Sequence, residues 1–429
     1  MTRLHEHCKK REINFWGAVA IGIGGMVGGG IFAVLGLAAT LAGGATPLAF
    51  LVAGVVALLT AYSYAKLTNA YPSDGGTIVF IDRAFGVELC SGGINNLLWL
   101  SYIVTLSLYA VAFANYTATF FGDGGGGLLR HVLISVGILL PTVLNLASPS
   151  LVSKTETAVV LIKIAILLAV IAFGAGGIDT ARLSPSTWES PLAIAGGGML
   201  IFVAYEGFEL IANTAPNVEN RETVLPRAYY TSVGFVIILY IAIAAVTVGT
   251  LNPEQIQSAS DFALAEATRP SLGQLGFTLV AISAVLATFS AINATLYGSA
   301  RLASSIAAEG EAPKFLEKRI WNQPVPGLVL TAGAALVLAN TADLSAISSM
   351  GSAGFLVIFA FVNAANFARS KEAKSNRWIA ALGVLACVGA LAALIGHTAG
   401  SDPEQLWVLA ALMCLGFVIE ALYLAFEKR

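Results

Sequence analysis

Two long apolar stretches of this chain are each interrupted by residues that disfavour a continuous helix. The first runs from about residue 14 to 40 and contains GGMVGGG at residues 24–30. The second runs from about residue 191 to 216 and contains FVAYEGFE at residues 202–209. Unpaired backbone groups in hydrocarbon cost several kcal/mol, so a helix breaks at membrane depth only where protein, water or a ligand satisfies them. Two breaks at matching depth therefore indicate a binding site between them.

The composition indicates an integral membrane protein. Hydrophobic residues make up 57% of the chain and charged residues 11%, whereas a soluble domain of this length needs a more charged surface. A helix of roughly 20 apolar residues crosses a bilayer. We predict an all-α integral membrane protein with 12 transmembrane helices, of which helices 1 and 6 are discontinuous, at about 14–40, 46–71, 91–121, 128–147, 156–176, 191–216, 227–250, 273–306, 326–340, 343–368, 378–398 and 404–425.

The distribution of basic residues predicts the orientation. An even number of spans places both termini on one side of the membrane. Nineteen Lys and Arg then fall on that side, and only Arg130, Arg182 and Arg269 on the other. Because basic loops stay in the cytoplasm, we predict a multi-pass cell-membrane (inner or plasma membrane) protein with cytoplasmic N- and C-termini, surrounded by the lipid bilayer. Basic residues are not clustered with aromatic ones, which argues against nucleic-acid binding.

The breaks also suggest how the chain is divided. We predict a cytoplasmic tail (1–13), a first five-helix repeat (14–176), a second five-helix repeat (190–368) and helices 11 and 12 (377–425). Five crossings per repeat turn the second repeat upside down relative to the first, which makes an inverted pair. No metal-ligand set or Ser/His dyad lies at a common depth, so we predict no enzyme activity, no metal and no cofactor.

Four motifs resemble the amino acid–polyamine–organocation (APC) transporters. The segment at 24–32 is similar to their G-x-x-[IV]-G-x-G-I-F signature, and the segment at 202–209 to their F-x-A-Y-x-G-F-[DE] break. The segments at 71–76 and 84–86 resemble their P-x-x-G-G…A-F-G loop, and those at 293–302 and 310–313 the end of their eighth helix. The matches are collinear from residue 13 to about 320. The resemblance implies a LeuT-like 5+5 inverted repeat that works by alternating access.

The first break is typical of an anion site. Glycines expose backbone N–H groups at close range, and the helix half that begins near Gly29 directs its positive end to the same place. Carbonyls freed around Val203, Ala204 and Glu206 face it as acceptors for an ammonium. We therefore predict an amino acid site at Gly25, Met26, Val27, Gly28, Gly29, Gly30, Phe202, Val203, Ala204, Tyr205 and Glu206. Alternatively, the glycines are small-residue packing contacts between helices.

Several side chains in the second break have open roles. Phe202 matches the family's aromatic gate over the substrate, or packs in the core. Tyr205 lines the side-chain pocket, or packs. Glu209 matches a common acidic position and is predicted to tie down the unwound segment. Acidic residues at membrane depth need an explanation, and Glu206 has three: it faces a cationic substrate, accepts a proton, or caps freed N–H groups.

Lys163 is the one basic residue that the topology leaves inside the membrane. It lies in the middle of the fifth span, too far from either end to reach the headgroups. In the proton-coupled ApcT-like branch, a fifth-helix lysine occupies the place of a sodium ion. The resemblance thus implies that Lys163 is the proton-coupling residue, with the Gly24 carbonyl and the Ser290 hydroxyl as partners. The alternative is a purely structural buried lysine.

The sequence as a whole predicts a proton-coupled amino acid symporter. The glycine, valine, alanine and aromatic lining favours a broad range of neutral L-amino acids. An amino acid or polyamine exchanger is the alternative transporter, and a membrane receptor that binds an amino acid without transporting it is the alternative from another class. The sequence does not specify an oligomeric state.

Overall fold

The computed structural model describes residues 13–122, 127–147, 149–320 and 323–427. The predicted tail, residues 1–13, lies outside these ranges except for its last residue. Within the described ranges the chain is helical, and its only β-type pairing is a few isolated bridges. The prediction of an all-helical protein is therefore confirmed for this part of the chain.

Sixteen α-helices organise the described residues. Their bounds are α1 Phe15–Met26, α2 Gly30–Ala42, α3 Thr46–Ala70, α4 Thr77–Phe85, α5 Leu89–Ala118, α6 Gly127–Ala147, α7 Pro149–Gly174, α8 Pro191–Leu200, α9 Arg221–Thr250, α10 Pro253–Ser258, α11 Ala263–Glu266, α12 Arg269–Ala308, α13 Val325–Thr341, α14 Leu344–Ala368, α15 Arg377–Ser401 and α16 Gln405–Glu427. Two tighter 3₁₀ segments, Phe202–Tyr205 and Phe208–Asn217, continue the chain after α8.

The helices fall at the positions predicted for the spans. Nine described helices are long and apolar enough to cross a membrane, and joining two bent pairs raises that number to eleven. The remaining predicted span, 326–340, coincides with α13, an apolar helix of 17 residues. This length is below the roughly 20 residues that cross a bilayer upright.

Both predicted interruptions are present. The first break, residues 27–29, separates α1 from α2, and the two helices are bent by 49°. The second break comprises residues 201–207, and α8 is bent by 47° relative to the stretch Phe202–Asn217 that follows it. Gly207 takes a left-handed backbone conformation there, with φ of 117°. Residues other than glycine rarely adopt this conformation. The two halves of the chain are thus broken in similar ways.

Packing places both breaks in the interior. The long helix α5 is buried along most of its length and contacts α6, α12, α14 and α16. On another side α3 packs against α9, and α9 packs against α1. The outer helices α6, α7, α15 and α16 leave most of their surface exposed. Met26 and Phe202 are fully buried, so the broken segments are enclosed by intact helices.

Candidate binding site at the two helix breaks

The two breaks touch each other through glycines. A side-chain carbon at Gly25 would lie 2.5 Å from the Gly207 carbonyl oxygen, and one at Gly207 would lie 2.3 Å from the Gly25 carbonyl carbon. A side-chain carbon at Gly30 would lie 2.9 Å from the Cα of Ala204. These distances are too short for any side chain. Gly25, Gly30 and Gly207 therefore let the two breaks come into direct backbone contact, and the roles of Gly25 and Gly30 in binding stay predictions.

Gly28 and Gly29 face a different neighbour, the side chain of Tyr109 on α5. A side-chain carbon at Gly29 would lie 2.5 Å from the Tyr109 ring, and one at Gly28 would lie 3.6 Å from its hydroxyl. Gly29 is the N-cap of α2 and has no side chain to bond the first-turn N–H groups. These amides are thus available to an acceptor from a ligand, as an anion site requires.

The carbonyls at the end of α1 are bound from two sides. The Lys163 ammonium on α7 donates to the Gly24 carbonyl at 3.2 Å. The Tyr240 hydroxyl on α9 lies 2.7 Å from the Met26 carbonyl oxygen and 3.2 Å from that of Ala204. A hydroxyl has a single proton to donate, so the two carbonyls share it. Tyr240 thereby joins the first break to the second.

The backbone of the second break is largely hydrogen-bonded. The Val203 N–H donates to the Ser352 hydroxyl at 2.9 Å, and the Ser348 and Ser352 hydroxyls donate to the Leu200 carbonyl. The Glu206 N–H donates to the Val203 carbonyl at 3.2 Å. The carbonyls of Val203 and Ala204 therefore already accept bonds, and a ligand ammonium would have to use their second lone pairs.

The aromatic residues of the second break are packed. The Phe202 ring lies 5.9 Å from that of Phe359 in an edge-on arrangement. The Tyr205 hydroxyl donates to the Phe50 carbonyl at 2.8 Å, and its ring lies 5.2 Å from that of Tyr240. Both side chains thus make the core contacts that the packing alternative describes, and the gate role of Phe202 stays a prediction.

The two glutamates bind tyrosines of α5. Glu209 accepts from the Gly207 N–H at 2.8 Å and from the Tyr102 hydroxyl at 3.0 Å. It thus ties down the unwound segment in the way the sequence predicted. Glu206 accepts from the Tyr109 hydroxyl at 3.2 Å. Each glutamate is therefore held to α5 by one tyrosine.

Lys163 is buried, with 3% of its surface exposed. Its contact with Gly24 lies at the end of the broken helix α1. Ser290, the other predicted partner, lies partly buried on α12, and α7 packs against both α12 and α1. The structure thus brings Lys163 to the first break, while the contact with Ser290 stays a prediction.

Sequence reasoning missed the three tyrosines that bind the breaks. Tyr102 and Tyr109 lie seven residues apart on α5, which places them on one face two turns apart. This spacing of hydroxyls in an apolar helix is a signal that could have identified them. Tyr240 offers no such signal, because α9 contains other tyrosines and several other polar residues.

This arrangement defines a class of membrane protein. Two helices broken at matching depth, with backbone groups and buried ionisable side chains between them, are typical of secondary transporters. Residues 13–419 match the family model described as amino acid permease. The chain belongs to this amino acid permease family, within the APC superfamily.

Individual relatives agree with the family. The chain is 31% identical to an uncharacterized protein of Methanocaldococcus jannaschii, over 98% of this chain and 97% of that protein. It is 34% identical to the inner membrane transport protein YbaT of Escherichia coli, over 81% of each chain. It is 28% identical to the chloroplastic cationic amino acid transporter 9 of Arabidopsis thaliana, over 88% of this chain and 72% of that protein.

Proposed function

We propose that the protein is a proton-coupled amino acid symporter that works by alternating access. The observation that carries the proposal is the bond between the Lys163 ammonium and the Gly24 carbonyl at the broken end of α1. A buried amine there links the proton it carries to the position of a helix that lines the binding site. Family membership supports amino acids as the cargo.

The cargo is recognised by its two backbone groups. The carboxylate binds the first-turn N–H groups of α2, which the N-cap Gly29 leaves uncapped, and the positive end of the helix favours its charge. The ammonium binds the carbonyls around Met26 and Ala204. Both groups are present in every amino acid whatever its side chain, so this arrangement suits a broad range of neutral L-amino acids.

The architecture is part of the same proposal. Twelve spans in a LeuT-like 5+5 inverted repeat, followed by helices 11 and 12, account for the two similar breaks near the start of each half. The excess of basic residues on one side supports cytoplasmic termini, and a location in the cell membrane is part of the same proposal.

Purified protein in sealed proteoliposomes tests the coupling. With an inward proton gradient and no internal substrate, we expect labelled neutral amino acids to accumulate, and replacing sodium to make little difference. Collapsing the gradient with a protonophore should stop accumulation. Uptake that occurs only when the vesicles are preloaded with amino acid would instead identify an exchanger. A thermal-shift screen against all amino acids gives the substrate range independently of transport.

A substitution at Glu206 tests whether the cargo is neutral or cationic. Cationic cargo is the alternative that the printed name of one relative suggests. Glu206→Gln keeps the shape of the side chain and removes its charge. If the cargo is neutral, we expect binding affinities for neutral amino acids to change by less than about threefold. If arginine or lysine is the cargo, its affinity should fall by about tenfold or more while neutral ligands are spared.

Tyr109→Phe is the matched control for that experiment. It removes the hydroxyl that donates to Glu206 and keeps the carboxyl. Calorimetry or thermal shift measures both variants. An equal loss of affinity for every ligand in Glu206→Gln would assign Glu206 to capping of the break rather than to cargo selection.

A further inference from the structure

A second group of carboxyls, one buried and one partly buried, lies away from the helix breaks, at the end of the protein predicted to face the cytoplasm. Asp82 lies in α4, the short helix between α3 and α5, and Glu311 lies in the segment that follows α12. Gly76, just before α4, packs against Asn213 of the segment Phe208–Asn217. The residue before α4 thus lies against the second half of the broken sixth span, and Asp82, near the other end of α4, belongs to the group of carboxyls.

One side-chain amide holds the two carboxyls together. The Asn95 Nδ2 of α5 donates to Asp82 Oδ1 at 2.9 Å and to Glu311 Oε2 at 2.6 Å. An asparagine amide has two N–H donors, so each carboxyl accepts one. Asn95 and Glu311 are fully buried. The two acids thus approach the same nitrogen within 3 Å, with only a neutral donor between them.

The segment that carries Glu311 is fixed to α5 by a separate bond. The Asn96 Nδ2 donates to the Glu311 backbone carbonyl at 2.9 Å, and it also lies 3.3 Å from Glu420 Oε2 of α16. The backbone bond does not depend on ionisation. The Glu311 backbone therefore stays bound to α5 in either protonation state. Protonation of the Asp82 and Glu311 side chains then acts on how α4 is held against this segment.

The charged groups that act most strongly on this pair are acidic. Glu309 acts on Asp82, and Glu420 acts on Glu311. The basic groups near α4 lie elsewhere: Arg83 is over the Tyr71 ring, and Arg369 donates to the Arg83 carbonyl. Among the other neighbouring titratable groups, Lys314 follows Glu311 on the exposed surface, and Tyr423 lies on α16.

Burial is the main reason that both acids are hard to ionise. Burial, together with the nearby Glu309, raises the pKa of Asp82 to about 6. Burial and the neighbouring Asp82 and Glu420 raise the pKa of Glu311 to about 7. If the pKa of a carboxyl is higher when α4 is held than when α4 is released, protonation stabilises the held arrangement. This stabilisation is complete at low pH. This contribution is lost as the pH rises from the ordinary pKa through the raised value, here between about pH 4 and 7.

We propose that Asp82, Asn95 and Glu311 form a proton-operated latch that holds α4 against the segment after α12 when the carboxyls are protonated and releases it when both are ionised. Its consequence for transport rests on the proposed function. Gly76, just before α4, packs against the second half of the broken sixth span. Acidification of the cytoplasm would therefore hold the cytoplasmic side of the transporter closed and slow uptake.

Distance measurements between spin labels test the latch without transport. Val87, just after α4, and Phe315, after Glu311, are both well exposed, and cysteines there accept labels in a background that retains only the buried native Cys387. At the same pH on both sides, we expect one short distance at pH 5.5 and a second, longer population at pH 8. The ratio of the long-distance to the short-distance population should rise by up to about tenfold per pH unit for each proton released.

Three variants decide the assignment. Glu311→Gln and Asp82→Asn keep a hydrogen-bond acceptor for Asn95 and cannot ionise, so each should keep the short distance at pH 8. Glu309→Gln removes an exposed acid that raises the pKa of Asp82, so it should keep both distance populations and shift the midpoint between them to lower pH. The proposal is overturned if the wild-type distances are the same at both pH values, or if both Glu311→Gln and Asp82→Asn respond to pH as the wild type does. A transport assay that fails while the distances shift would contradict the proposed function and leave the latch standing.

Discussion

Replacing Lys163 with alanine is expected to abolish proton-driven accumulation of amino acid in proteoliposomes. The ammonium donates to the Gly24 carbonyl at 3.2 Å, and a charged donor makes a hydrogen bond about twice as strong as a neutral one. Loss of its proton weakens the tie between α7 and the broken end of α1, which frees that end to move. Without the amine, proton movement no longer affects α1, so accumulation should fall to the level of passive exchange.

Lys163→Arg is the sharper variant of this experiment. A guanidinium keeps the charge and the donor but stays protonated at every physiological pH. We expect it to bind substrate and fail to accumulate it. Leu161→Ala, on the exposed face of the same helix, should behave as the wild type. Accumulation by Lys163→Ala under an inward proton gradient would place the coupling elsewhere. Glu206 is then the next candidate.

The sequence predicted the positions of the spans because the physics is local. Each span is an apolar run whose length is set by the bilayer, and each break is marked by glycine or polar residues within such a run. The contact between Lys163 and Gly24 was also predicted, through the resemblance to transporters that place an amine there. The short ninth span, 326–340, was predicted as well, and it corresponds to α13. The sequence did not predict that the second half of the sixth span, with Pro216 inside it, is a 3₁₀ segment.

The contacts that complete the site depend on helix rotation and packing. Tyr240 reaches two carbonyls that are 214 and 36 residues away along the chain, and no local pattern encodes that distance. Asn95 likewise joins residues 13 and 216 positions away. A buried polar side chain shows in a sequence that it needs partners, but which groups satisfy it emerges only when the helices are packed.

The glycines of the first break illustrate the same limit. Spacing alone left an anion site and a packing contact as alternatives for all of them. The structure divides them: Gly25 and Gly30 meet backbone of the second break, whereas Gly28 and Gly29 meet the Tyr109 side chain. Successive positions at a break thus face different neighbours, and the anion site at Gly28 and Gly29 stays a prediction.

Gly25→Ala is expected to lower transport by about tenfold or more in a protein that still folds. Its added carbon would lie 2.5 Å from the Gly207 carbonyl oxygen and 3.0 Å from the Gly207 Cα. Backbone cannot rotate away as a side chain can, so the two breaks must separate. Overpacking of this kind costs about 1–3 kcal/mol. The separation would also displace the Met26 carbonyl from Ala204, which disrupts the acceptors for the cargo ammonium.

Two other glycines provide matched controls for this change. Gly234→Ala on α9 adds a carbon with no neighbouring atom within 4 Å and should transport normally. Gly28→Ala meets its nearest atom at 3.2 Å and should give an intermediate loss, mainly in affinity, because it narrows the space at the first-turn N–H groups. Substrate affinity and maximal uptake rate, measured on protein of verified thermal stability, distinguish the three. If Gly25→Ala and Gly234→Ala transport equally well, the direct contact of the two breaks is not required, and the binding site tolerates their separation.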